Sequence, residues 1–336
     1  MKNTQVIQLM SIVRLSIFML GITMMSCNSK KEQQLPAIGK SVALFDYFSY
    51  KGNDDFYISN PLSDEDYFYN PILPGWYSDP SVCTNGEGDY FLVTSTFTYF
   101  PGVPIFHSKD LVNWKQIGHV LNRASQLVNM EGQKVSGGIF APAISYNPYN
   151  KTYYMVTTNV GAGNFFVKTQ DPFGEWSEPV MLPEVGGIDP SFFFDEDGKA
   201  YIVNNDEAPD NKPEYSGHRT IRIQEFDVKT DKTIGPRKIL VNKGAQPADK
   251  PIWIEGPHLY KINGKYFLMS AEGGTGNWHS EVIFRGDSPM GKFLPWKNNP
   301  ILTQRHLNSD RPNSVTCAGH ADSVSYTHLT LPTNSR

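Results

Sequence analysis

Four stretches of this sequence repeat one pattern, and that repeat limits the possible folds more than any other feature. Each has a short polar or acidic turn, a strand, a hairpin rich in Gly, Asn and Asp, and then an aromatic, β-rich strand. They read SDPSVCTNGEGDYFLVTST at 78–96, APAISYNPYNKTYYMVTTN at 141–159, IDPSFFFDEDGKAYIVNND at 188–206 and EGPHLYKINGKYFLMSAEG at 255–273. A fifth start, GHAD, stands at 319–322. The hairpin residues supply the positive φ values that tight two-residue turns need. Strand-like runs such as VPIFHSKDLVNWKQI and TIRIQEFDVKT follow. The starts fall at Asp79, Pro142, Asp189, Glu255 and His320, a spacing that suits one four-stranded blade per repeat. The expected fold is all-β: a five-bladed β-propeller over residues 69–322, with the fifth blade incomplete in this chain. A two-sheet sandwich is the alternative. No amphipathic helix is expected beyond the N-terminal segment.

The two ends of the sequence stand apart from the repeat. Lys2 and Arg14 precede an apolar run at 15–25, followed by Ser26 and Cys27. Such a run is too short for a permanent span and reads as a signal peptide. Cys27, just after it, resembles a bacterial lipobox cysteine, which is diacylated and becomes the mature N-terminus; an ordinary secretory signal is the alternative. The acyl chains would hold an exported lipoprotein at a membrane, on the periplasmic face or the outer-membrane surface. Residues 28–68 read as a tether and N-terminal extension. At the other end, VSYTHLTLPT at 324–333 resembles translated sequencing adapter, so 323–336 is set aside as a non-native tail and is expected to form no fifth blade. A gap between the first and fourth blades would follow, with Gly319 to Asp322 docked beside the first. Cys83 and Cys317 are expected as two buried thiols rather than a bridge. A net charge of −4 gives no reason to expect a nucleic-acid partner.

In a propeller each innermost strand runs along the central axis, so residues that start those strands meet at one mouth of the channel. Here they include Asp79, Asp189, Glu255 and His320. Carboxylates gathered over one pocket repel one another and resist ionising together. Glycoside hydrolysis uses such a set, because it needs one carboxylic acid to protonate the leaving oxygen and one carboxylate as base or nucleophile. A third carboxylate can raise the pKa of the acid. Singly, an Asp in DPS or a Glu in EGP could merely bond turn amides. Aromatic residues serve mostly as core, although aromatic faces also line sugar clefts.

Six ordered motifs sharpen this reading. PGWYSDPS (74–81), FPGVPIFHSKDLVNW (100–114), GGIFAP (137–142), GIDPS (187–191), EGPHLYK (255–261) and GHAD (319–322) resemble glycoside hydrolase family 43, with its β-xylosidases and α-L-arabinofuranosidases. The resemblance implies an exo-acting, inverting enzyme that removes terminal pentoses, β-D-xylose foremost, from xylan or arabinoxylan oligosaccharides. It implies Asp79 as general base, Asp189 as the orienting and pKa-modulating carboxylate, and Glu255 as general acid. Phe97 and Phe140 match aromatic walls around the terminal sugar, and Thr275 a small lining residue. His320 matches the GHAD histidine, near which some relatives hold calcium through water; no cofactor is required and no direct protein–metal bond is expected. The family completes its fifth blade after GHAD and takes a substrate-contacting arginine from it, both absent from this chain, which could leave it inactive. The loop at 204–222 resembles a branch with both activities, so α-L-arabinofuranosidase is an alternative. A non-catalytic sugar-binding propeller at the cell surface and an inert fragment are the rivals from other classes.

Overall fold

A computed structural model describes residues 55–63, 67–312 and 314–324 of the chain. The signal-peptide segment with Cys27, most of the tether, and residues 325–336 of the adapter-like tail lie outside the described residues. The chain divides into two units between Pro61 and Leu62. Of the first, the description covers a one-turn helix, α1 (Asp55–Ser59), which the sequence reading did not anticipate. The second unit holds every strand.

Four antiparallel sheets follow one another along the second unit, each a simple up-and-down meander. The first runs β1 (Ser81–Thr84), β2 (Tyr90–Val93), β3 (Gly102–Ser108) and β4 (Lys115–Leu121). The second runs β5 (Ile139–Asn147), β6 (Thr152–Asn159), β7 (Gly163–Thr169) and β8 (Val180–Met181). The third runs β9 (Ile188–Phe194), β10 (Ala200–Glu207), β11 (Arg219–Asp227) and β12 (Lys232–Asn242). The fourth runs β13 (Glu255–Ile262), β14 (Lys265–Glu272), β15 (Ser280–Gly286) and β16 (Leu294–Pro295), with β17 (Leu302–Thr303) sharing the outer edge of β15. These are four propeller blades, and their inner strands are the ones that the repeat marked.

Strand alternation explains how the blades pack. Side chains on a strand point alternately to its two faces. On β6, Tyr153 and Met155 enter the core shared with the first blade, while Tyr154 and Val156 enter the core shared with the third. On β10, Ala200 and Ile202 face back to the second blade, and Tyr201 and Val203 face forward to the fourth. Successive blades are thus joined by apolar clusters. Strands buried on both faces read as continuous β-branched and aromatic runs, as in TYYMVTTN.

The inner strands are also stitched by hydrogen bonds between blades. Ser145 Oγ donates to Phe192 O at 3.0 Å, and Ser191 Oγ donates to Pro257 O at 2.5 Å. The GHAD segment has no strand of its own. Its Asp322 carboxylate accepts from Ser81 Oγ (2.7 Å) and Val82 N (2.9 Å) on β1, and from Tyr260 Oη (2.5 Å) on β13. It therefore docks beside the first blade, as expected, but it also binds the fourth and so bridges the expected gap at the axis. Cys83 is buried, whereas Cys317 is only partly so, and both are free thiols. The expectation of a second buried thiol fails because Cys317 lies in the partly exposed stretch leading to GHAD, beside Asn277.

Candidate active site

The four blade starts and the GHAD segment share a backbone corner. Asp79 (φ 52°), Ala141 (34°), Asp189 (54°), Gly256 (54°) and His320 (54°) all have positive φ. Pro80, Pro142, Pro190 and Pro257 follow the first four, and Ala321 follows the fifth. The structural register therefore moves two of the sequence-derived starts by one residue, from Pro142 to Ala141 and from Glu255 to Gly256. The tempting alignment of Glu255 with Asp79 and Asp189 matched charge to charge, whereas the repeat is set by the left-handed corner. Most non-glycine residues avoid that region, and Asp tolerates it better than most.

The shift has a chemical consequence. Asp79, Asp189 and His320 line one narrow axial void. Glu255, one residue earlier in its repeat, instead lines a separate cleft of about 660 Å³ together with its structural equivalents Phe140 and Ile188. The three carboxylates are still near enough to act on one another electrostatically.

Asp79 is held on both oxygens. Ser95 Oγ donates to Oδ2 at 2.6 Å, and Ser95 Oγ in turn accepts from Ala141 N at 2.7 Å. Oδ1 faces His320 Nδ1 at 3.2 Å. Asp189 is buried, its Oδ2 accepts from Gly256 N at 3.1 Å, and its own N–H donates to Thr158 Oγ1 at 3.1 Å. Burial, helped by the nearby Asp79 charge, pushes Asp189 up to about 6 against the pull of His320 and the Gly256 N–H. Burial, then the charges of Asp189 and Asp79, push Glu255 up to about 8, with His320 and Arg219 opposing. Burial alone would lower the His320 pKa, but Asp189, Asp79, Glu255 and Glu281 outweigh it and hold the imidazole above its ordinary value. At neutral pH Glu255 keeps its proton, and His320 holds its own more firmly than a free imidazole does.

The cleft supplies shape. Thr275 and Phe140 line it with Glu255. Phe97 meets Phe140 edge-on at 5.6 Å (72°) and stacks on Trp76 at 5.3 Å (14°). On the opposite side Arg219 pairs with Glu207 and lies 4.3 Å over the Trp253 ring. Phe140 and Thr275 thus line the cleft with Glu255, His320 lines the void with Asp79 and Asp189, and Phe97 stands against Phe140. Trp76, Ser95, Arg219 and Trp253 were missed. Trp76, Trp253 and Arg219 stood in view inside PGWYSDPS, just ahead of EGP, and in the 204–222 loop, but no spacing rule links them to the axis. Ser95, at the end of the first hairpin, gave no signal. No set of three or more metal-ligating side chains converges among the described residues, and the void beside His320 is about 10 Å³, room for about one water.

The sequence profile of glycosyl hydrolases family 43 matches residues 68–328. The chain belongs to this family. Among family 43 relatives, it is 48% identical over 258 residues to a xylosidase/arabinosidase of Butyrivibrio fibrisolvens, covering 76% of this chain and 48% of the relative. It is 41% identical to a non-reducing end alpha-L-arabinofuranosidase of Bacteroides ovatus, covering 76% and 45%. Among solved structures it is similar to a GH43_12 protein from a capybara gut metagenome, with a TM-score of 0.76, 55% identity, and coverage of 82% of this chain and 50% of that one. The chain spans about half the length of the curated relatives it matches.

Proposed function

We propose that this family 43 domain is an exo-acting, inverting glycoside hydrolase that removes terminal pentoses, β-D-xylose foremost, from xylan-type oligosaccharides. The carrying observation is the split in protonation within one cluster: Glu255, facing the cleft, is pushed up to about 8, while Asp189 titrates about 6 beside Asp79. An acid that keeps its proton at neutral pH, beside a carboxyl that gives its proton up at lower pH, is what glycosidic cleavage requires. In this reading Phe140, with Phe97 behind it, flanks the terminal sugar, and Thr275 leaves it room. Glu255 gives its proton to the leaving oxygen. Asp79, fixed by Ser95 and His320, takes a proton from water as that water attacks the anomeric carbon. Asp189 holds the local charge that keeps Glu255 protonated.

The names of the relatives, xylosidase/arabinosidase and arabinofuranosidase among them, keep α-L-arabinofuranosidase as the second reading. The test is release of para-nitrophenol from the β-D-xyloside and the α-L-arabinofuranoside, with the anomer of the first-formed sugar followed by NMR. Preferential xyloside turnover with inversion is expected. Release of neither sugar, with oligosaccharides still bound, would favour a sugar-binding propeller. We further propose that the five corners correspond to five blades. Export through a lipidated Cys27 is likewise proposed; tritiated palmitate incorporation that is lost in Cys27→Ala would support it, and unlabelled parent protein would refute it.

A further inference from the structure

Glu281 lies on β15, outside the acid and base roles above, and is fully buried. Its Oε2 accepts from the Ala321 N–H at 2.9 Å, and the His320 N–H also bonds to this carboxyl. Its Oε1 has no hydrogen-bond partner among the described residues. Burial, with Asp322 adding to it, pushes Glu281 up to about 8, so at neutral pH the group is mostly neutral.

The five blade starts explain why a carboxyl stands there. At four of them a proline follows the left-handed residue. Proline fixes its own φ and has no N–H to satisfy. At the fifth start Ala321 takes that place, so its backbone is free to turn and its N–H needs an acceptor. Glu281 supplies it. The segment is boxed in on other sides too. A Cβ on Gly319 would stand 2.5 Å from the His279 ring, and one on Gly256 would stand 2.5 Å from the His320 ring.

We infer that Glu281 is the positioning residue for His320: by holding the backbone at Ala321 it does what proline does at the other starts, and keeps the imidazole Nδ1 against Asp79. The kinetic consequence rests on the glycosidase reading; the geometric one does not. His320 is faced by Asp79, Asp189, Glu255 and Glu281, and by the imidazoles of His258 and His279. Glu281 in turn is faced by His320, Asp322 and Tyr260. Glu281→Met and Glu281→Gln both remove the Glu281 charge that helps to raise His320, so the difference between the two variants reports the displacement of His320.

The experiment compares Glu281→Met, which keeps volume but has no strong acceptor, with Glu281→Gln, which keeps a carbonyl for Ala321. His320 is titrated by NMR of its ring, and kcat, KM and their pH profiles are measured on para-nitrophenyl xyloside. In Glu281→Met the His320 midpoint should fall toward the ordinary 6.5 as the imidazole leaves its carboxylates. There kcat should drop roughly 10- to 100-fold with KM unchanged, the scale expected for a misplaced catalytic array. The alkaline limb should move to higher pH, because His320 no longer opposes the rise of Glu255. Glu281→Gln should restore kcat and the alkaline limb, and bring the His320 midpoint back above that of Glu281→Met. Ala321→Pro is the second variant: placed in the Glu281→Met background, it fixes the backbone as proline does at four equivalent starts, and should return the His320 midpoint to that of Glu281→Gln. A His320 midpoint unchanged in Glu281→Met would overturn the assignment, as would a Gln variant as impaired as Met or a Met variant that Ala321→Pro leaves unrescued. If the parent hydrolyses nothing, the glycosidase reading fails while the His320 titration still decides the positioning role.

Discussion

At the scale of single residues, the site depends on where protons rest. Glu255 is pushed up to about 8 by burial and by its carboxylate neighbours, so activity should fall as pH rises through that value and the acid loses its proton. Glu255→Ala should slow xylosides with poor leaving groups by about 10²–10⁴-fold, the usual worth of general acid help, and spare activated aryl xylosides. Equal loss on both would remove Glu255 from the acid role. Trp76 adds a face that the catalytic chemistry does not need. It is largely exposed and stacks on Phe97. Trp76→Ala should therefore raise KM for xylo-oligosaccharides, measured by released xylose, with little change in kcat; an unchanged KM would leave Trp76 as surface packing. The carboxylates were legible because DPS, DPS and EGP recur at blade starts. Arg219 and Trp253 were not, because they reach the cleft from the far end of β10–β11 and from the turn before β13. Only the sheet registers bring those places together.

At the scale of elements, alternation and turn chemistry made the blades readable, and backbone corners set their true register. The outer strands were less legible than the inner ones. The run EVIFRGDSPMGKF suggests one long outer element, yet β15 ends at Gly286 and the next two short strands divide its edge. Edge residues carry little burial, so little in the sequence fixes their pairing. The segment at 319–322 is the opposite case: without a strand, it is tied down by side-chain contacts of Glu281, His320 and Asp322. Asp322→Ala would strip the acceptor from Ser81 Oγ, Val82 N and Tyr260 Oη at once. Leaving buried donors unsatisfied costs about 1–3 kcal/mol each, so urea unfolding should show a loss of roughly 3 kcal/mol or more. A loss below about 1 kcal/mol, the scale of an exposed pair, would mean that Asp322 does not join the two blades.

At the scale of the whole molecule, the same electrostatics that ready the site should load the fold. Glu255 and Glu281 each rise from an ordinary 4.5 to about 8, and Asp189 from 3.8 to about 6. Between those values the folded chain keeps protons that the unfolded chain has released. Stability that depends on such groups is fully present below the ordinary value and is lost as pH rises through the folded value. His119, His258 and His279 work the other way: burial lowers their pKa, so their share is present above 6.5 and lost as pH falls. The net slope mixes both, and a difference between variants isolates one group. Glu255→Gln removes the titration and retains the volume. Scanned from pH 5 to pH 9 by differential calorimetry, the parent should lose melting temperature relative to Glu255→Gln as pH rises, with the two curves becoming parallel above pH 8, where Glu255 is ionised in both states of the parent. Parallel curves throughout would mean that Glu255 titrates near its ordinary value, and with that the proton needed at the leaving oxygen would be gone at neutral pH.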